Sequence, residues 1–386
     1  MHGNAVLTFA VSAAALSCLA LLVGHATEQV GSRLNAGATG VLQSALGNLP
    51  ELFVCIFSLR AGLVTVVQSA LIGSILANSL LVMGLAILVG GLKHGTQRFG
   101  SEAPRMIATL MLLAVSALAI PTLAAKLGTN ASFHEEALSA VCAVVLLLVF
   151  AASLPFSLKG DPTVTPHDAP TIATHGAQAS NTQIPGAPEL EAAHLNTAST
   201  TSTSTSTAAT STSTSTSSGT PLPTAATDEM HHGTWPMWLA VAILVFAGVG
   251  AALVSDWFVE ALTPTMKSLH LSEAFTGLVI VAIAGNAVEN VVGIQLAARN
   301  KPDYAISVIL NSSLQIALFL IPTLVLLSFV LGGAPLTLVL PPLLVAALAL
   351  TSLVSAFIVY DGESIWLEGV ALIGLYGIIA AAFWWG

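Results

Sequence analysis

Residues 47–51 read Gly47-Asn48-Leu49-Pro50-Glu51, and residues 285–289 answer them as Gly285-Asn286-Ala287-Val288-Glu289, each inside a long apolar stretch with no other charge close by. A carboxylate placed there is expensive. Ionisable side chains near the middle of a bilayer cost roughly 2.5 to 3.5 kcal/mol on insertion scales, so they normally face a cavity and serve an ion or proton path. The correspondence continues downstream. Glu51 is followed 23 residues later by Ser74, in Gly73-Ser74-Ile75-Leu76-Ala77-Asn78, and Glu289 is followed 23 residues later by Ser312, in Asn311-Ser312-Ser313-Leu314-Gln315. The same word twice, with a serine at the same offset, marks two halves of one site.

Working outward, hydrophobic residues make up 55% of the chain, charged residues only 8%, and mean hydropathy is +0.87. That composition excludes a soluble domain. Stretches long enough to cross a hydrocarbon core, which takes about 20 helical residues, lie near 4–24, 36–59, 63–91, 104–125, 137–158, 236–257, 271–298, 303–330, 335–360 and 365–385. They lack period-2 alternation, and backbone polar groups must be satisfied within each span, so helices are expected and barrel strands are not. The expected class is an all-α polytopic membrane protein with ten transmembrane helices. The first stretch has no basic leader and no small-residue cleavage site before Glu28, which reads as a retained helix and not a signal peptide.

Between residues 159 and 235 the composition turns to Thr, Ser, Pro and Ala, including the run Thr200 to Ser218. Such a segment buries too little apolar surface to offset its ordering entropy and reads as a disordered linker. The chain is thus expected to divide into a first five-helix half, 1–158, the linker, 159–235, and a second five-helix half, 236–386. An odd number of spans makes the second half enter from the opposite side, so the halves are inverted repeats, a common transporter plan. Orientation follows from the basic residues. Arg33, Lys93, Arg98, Arg105, Lys159, Arg299 and Lys301 fall on one side, Arg60, Lys126 and Lys267 on the other, and the richer side is expected to be cytoplasmic. The linker would then be inside and both termini outside.

The motifs offer hard oxygen donors: two Glu, two Asn and several Ser hydroxyls. That set suits Ca²⁺, which accepts six to eight oxygens at flexible distances. Pro50 has no amide hydrogen, so the carbonyl of Leu46 loses its helical partner, and Gly47 eases a turn there. Freed carbonyls can coordinate cations. The second motif has Gly285 but no proline, so its break is expected to be the weaker. Desolvation and a like-charged neighbour both favour the protonated carboxyl. Metal and protons therefore compete for Glu51 and Glu289, which is the physical basis of an antiporter.

On these words the two halves resemble the alpha-repeats of the calcium/cation antiporter superfamily, above all its bacterial calcium/proton exchanger branch, over nearly the whole chain except the linker. The resemblance implies the sodium/calcium exchanger-like fold, alternating access by sliding of a gating helix pair, and location in the bacterial inner membrane. It also implies that Glu51 and Glu289 coordinate Ca²⁺, that Asn48, Asn286, Ser74 and Ser312 supply neighbouring oxygens, and that Asn78, Ser313 and Gln315 line the path. Two departures stand out. Members of the branch often carry His directly after the second glutamate, where this chain has Asn290 on the path, so any proton role of that histidine is absent. Many relatives also have a further N-terminal helix, whose loss would leave the N-terminus outside.

Sodium coupling is the rival closest in kind, as Na⁺/Ca²⁺ exchange or Na⁺ or K⁺ exchange against H⁺. The second-motif helices offer only the neutral Asn78 and Gln315 beside the glutamates, which favours protons. A passive cation channel would need a continuous polar lining that the spans lack. An intramembrane enzyme finds no His-Glu-x-x-His or Gly-x-Ser-x-Gly word. No resident cofactor is called for: Ca²⁺ and H⁺ are cargo, the lipid bilayer is the medium, and no basic surface points to nucleic acid. The sequence sets no oligomeric state. Glu28 and Glu260, with Asp256, sit near membrane boundaries where they could gather incoming cations or anchor the interface. Cys18, Cys55 and Cys142 stand singly, without disulfide or zinc spacing.

Overall fold

Runs of Ala, Val, Leu and Ile can satisfy their backbone in lipid only as helices, and helices are what they form. The computed structural model describes residues 2–34, 42, 45–159, 235–332 and 335–384, without the side chains of residues 2–4, 155–159 and 287–289. The predicted linker, apart from its two end residues, lies outside the described residues.

The first half contains α1 (His2–Gly31), a helical piece at 45–47 that turns at Asn48 into α2 (Leu49–Arg60), α3 (Val64–His94), α4 (Glu102–Lys126) and α5 (Glu135–Lys159). The second contains α6 (Met237–Leu269), α7 (Glu273–Gly285), α8 (Ala287–Ala298), α9 (Pro302–Leu331), α10 (Pro342–Ile358) and α11 (Trp366–Trp384). Each expected stretch holds a helix, but the number of full-length spans differs from ten. Seven helices among the described residues are long and apolar enough to cross, or eight if the bent pair α7 and α8 is one span. α10 has only 17 residues and α2 only 12.

The repeat is kept to the residue. Leu49 and Ala287 open α2 and α8, Arg60 and Ala298 close them, and Val64 and Pro302 open α3 and α9. Each pair lies 238 positions apart, as Glu51 and Glu289 do (289 minus 51). Both third helices also widen into a π turn at the matching place, Ala77–Val82 in α3 and Ile316–Leu320 in α9.

The halves interlock through α3 and α7. A Cβ added at Gly73 would lie 2.3 Å from the Leu278 carbonyl oxygen, and one at Gly277 would lie 2.4 Å from that of Val66. Backbones approach this closely only where small residues face each other. α1 and α6 form a separate antiparallel pair, in which Phe9 stacks on Phe258 at 4.7 Å and Leu19 meets Gly250. On the side expected to be cytoplasmic, β1 (Gln97–Arg98) pairs antiparallel with β2 (Glu363–Ser364), joining the α3–α4 and α10–α11 loops.

The stretch 335–360 departs from expectation, because its helix starts only at Pro342. Residues 335–341 have no regular secondary structure and bend at Leu338, with Leu336, Leu338 and Leu340 buried. Pro341 and Pro342 explain the late start, since the residue before a proline is driven from the α region. Such backbone is tolerated at membrane depth only where protein satisfies it, and here side chains do so. Gln68 Nε2 donates to Thr337 O and Val339 O, and Thr122 Oγ1 donates to Leu338 O while accepting from Leu340 N. The amides of Leu338 and Leu336 donate to Ser139 Oγ and Ser328 Oγ.

Candidate functional site

Each motif sits at a helix break. Asn48, between 45–47 and α2, has φ −92° and ψ 15°, and Asn286, between α7 and α8, has φ −104° and ψ 28°. The second break is therefore no weaker than the first, contrary to expectation. Proline is not what sets it: Asn leaves the helical region more readily than most residues, and its side chain repairs part of the loss. Asn286 Nδ2 donates back to Ala282 O at 2.9 Å, and α7 and the 290–298 part of α8 diverge by 62°.

The breaks bring the two words together. Glu51, in the first turn of α2, is 1% exposed, and Ser74 donates to its Oε1 at 2.5 Å. Asn286 of the other half donates to Ser74 Oγ at 2.8 Å. Gly285 faces the carboxylate stem, where an added Cβ would lie 3.5 Å from Glu51 Cβ. Asn78 completes the layer, donating to Ser312 Oγ at 3.0 Å and reaching Asn286 Oδ1 at 3.5 Å. Ser74, Asn78, Asn286, Ser312 and Asn48 are all buried. Glu289 lies in the first turn of α8, one turn past Asn286, and its side chain is outside the described residues.

Ser313 is also buried but bonds elsewhere, to Ser79 Oγ at 2.9 Å, and Ser355 of α10 donates to Ser79 O. Gln315 and Asn290 are half-buried. The Asn290 and Asn78 side-chain oxygens are buried without a hydrogen-bond partner among the described residues, leaving two acceptors for an incoming ligand. Glu28 and Glu260 are exposed on α1 and α6, away from this cluster, and Glu28 lies 3.8 Å from His25. The 238-residue register pairs them with Met266 and Leu22, not with each other.

Ser79, Ser355, Gln68 and Thr122 escaped sequence reasoning. Single polar residues in apolar helices carry no word that distinguishes a contact from a tolerated hydroxyl. Chemically, the described part of the site is one carboxylate held by the Ser74 hydroxyl, beside a layer of hydroxyls and amides drawn from both halves. Among the described residues no group of three or more His, Cys, Asp or Glu gathers to hold a metal.

The family described as sodium/calcium exchanger protein matches residues 4–159 and 239–385. The chain is 31% identical over 385 residues to a Ca²⁺/H⁺ antiporter of Aphanothece halophytica, covering 99% of this chain and 91% of that one. It is 32% identical over 378 residues to a Ca²⁺/H⁺ antiporter of Synechocystis sp. (strain ATCC 27184 / PCC 6803 / Kazusa), covering 97% and 90%. A solved structure of native YfkE superposes with a TM-score of 0.71 at 27% identity, covering 98% and 92%. A repeat kept to the residue, a polar cluster that joins both halves and a family match over most of the chain converge: this chain is a member of the sodium/calcium exchanger protein family.

Proposed function

We propose that this chain is a secondary antiporter that exchanges Ca²⁺ for H⁺ by alternating access, with cation and protons competing for Glu51 and Glu289. The observation that carries the reading is the Glu51–Ser74–Asn286 cluster, in which a buried carboxylate is held by a serine of its own half that in turn accepts from an asparagine of the other. The names of the relatives, calcium/proton antiporters at about the same length, support the choice of ions.

The chemistry follows from the donors. Ser74 stabilises the ionised carboxylate while the site lacks a cation, and its hydroxyl can rotate to present a lone pair when one arrives. Asn48, Asn286, Ser312 and Asn78 add neutral oxygens, and such mixed sets suit Ca²⁺. Two glutamates balance one divalent cation or two protons, so either load leaves the site uncharged and able to cross. Asn290, Ser313 and Gln315 would border the path. Glu28 and Glu260 would collect cations at its mouths. The protein would sit in the bacterial inner membrane, with the loops joined by β1 and β2 and the linker inside and both termini outside, the linker serving as a tether.

The test is uptake of radiolabelled Ca²⁺ into sealed proteoliposomes under an imposed pH gradient, comparing the native chain with Glu51→Gln and Glu289→Gln. Inside-acid vesicles should accumulate Ca²⁺, and each variant should abolish accumulation. Uptake that instead requires a Na⁺ gradient, or that follows voltage and ignores both gradients, would overturn the reading.

A further inference from the structure

The two halves share a register but not a conformation. Val54 of α2 is 1% exposed, whereas its partner 238 positions on, Val292 of α8, is 37% exposed. Val54 lies in a packed cluster with Phe258, Val259 and Leu262 of α6, and a Cβ at Gly248 of α6 would stand 3.2 Å from Leu49. The α6–α2 seam is therefore closed. Its counterpart between α1 and α8, on the side that basic-residue counting makes cytoplasmic, is the looser of the two, with Val292 left exposed.

Within this asymmetry two serines occupy matching positions on the paired long helices. Ser17 of α1 lies 238 residues before Ser255 of α6 (255 minus 17). The Ser17 hydroxyl bonds to Ala13 O at 3.0 Å within its own helix and reaches across to Ala284 O at 3.4 Å, one residue before the Gly285-Asn286 break. Ser255 is 0% exposed, yet its hydroxyl has no partner among the described residues. The register maps Ala284 onto Leu46, whose carbonyl Pro50 cannot satisfy within the helix. Among the described residues a buried hydroxyl without a partner, and a carbonyl to which the proline four residues on cannot donate, thus occupy, in the first motif, the places that Ser17 and Ala284 fill in the second.

We propose that Ser17 and Ser255 form a two-position latch: Ser17 holds the carbonyl of Ala284 while the α1–α8 seam is the looser, and when the halves exchange conformations Ser17 lets go and Ser255 takes the carbonyl of Leu46. Each serine acts through backbone next to a motif break, so both are positioning residues. They touch neither cargo nor carboxylate. Because each bond exists in one state only, it biases the equilibrium between states, which a contact common to both could not do. The latch rests on the exchanger reading for its purpose. Its test does not need transport.

Backbone hydrogen exchange of the full chain in lipid nanodiscs, read by mass spectrometry at fixed pH without Ca²⁺, reports both seams through peptides covering 290–298 and 52–60. Ser17→Ala should slow exchange in 290–298 and speed it in 52–60, by about threefold for the loss of one modest hydrogen bond. Ser255→Ala should shift both peptides the opposite way. The double variant should return both toward native values, since each state then loses one bond. Ser17→Thr, which keeps the hydroxyl, should match the native chain and separates latching from packing. Single variants that move both seams in the same direction, or not at all, or a double variant that sums two losses, would overturn the latch. A chain that shows the latch but moves no Ca²⁺ would instead count against the exchange reading alone.

Discussion

At the scale of single residues, the energetic problem is a carboxylate with 1% exposure, met by a hydroxyl of its own half that an amide of the other half holds in place. A hydrogen bond to a charged group contributes about 1.5 to 3 kcal/mol, so under the proposed function removing the donor should weaken Glu51 in its competition for Ca²⁺ against protons. Ser74→Ala is expected to raise the KM for Ca²⁺ about tenfold, measured by initial uptake rates at fixed pH, and an unchanged KM would show that Ser74 takes no part in binding. Gly73, its neighbour, does a different job. With a Cβ only 2.3 Å from the Leu278 carbonyl, Gly73→Ala must push α3 and α7 apart, and overpacking of this kind costs about 1 to 3 kcal/mol. Thermal unfolding in detergent should register that loss, whereas Gly285→Ala, with 3.5 Å to Glu51, should be mild. The charged residues of the site were legible in the sequence because charge in an apolar run is conspicuous. Ser79 and Ser17 were not, because a hydroxyl in a helix can satisfy itself on its own backbone.

Elements differed in how far pattern alone could describe them. Apolar length fixed where helices lie, but not where they break, widen or fail to start. Both motif helices break at asparagine, where a proline rule foresaw a weaker break in the second, and π turns appear at matching places in α3 and α9 with no sequence mark. The non-helical run 335–341 is the clearest case, since its apolar residues read as a span. Its peptide groups are satisfied by Gln68, Thr122, Ser139 and Ser328, which come from four different helices. Gln68→Leu would leave the Thr337 and Val339 carbonyls without their donor, and an unsatisfied buried acceptor costs about 1 to 3 kcal/mol. Lower thermal stability with native Ca²⁺ affinity in the surviving protein is the expected result. A fall in affinity at unchanged stability would tie the segment to the site instead.

For the whole molecule, the two halves need each other, since Glu51, Ser74 and Asn78 of one lie in a single hydrogen-bonded cluster with Asn286 and Ser312 of the other. Deleting residues 165–228 should leave pH-driven Ca²⁺ uptake intact, and lost uptake with normal membrane insertion would give the linker a role beyond tethering. The sequence by itself determined the helical class, the two halves and their 238-residue register, and the residues with enough charge to form a site. It could do so because lipid forces apolar runs into helices and makes every buried charge costly, so both leave marks in composition and spacing. Only the tertiary structure decided which seam is closed, which hydroxyls bond across helices, and how residues 335–341 are held. Those outcomes depend on distances between groups remote in the chain, and bonds of this size shift an equilibrium between arrangements that one sequence can adopt in turn.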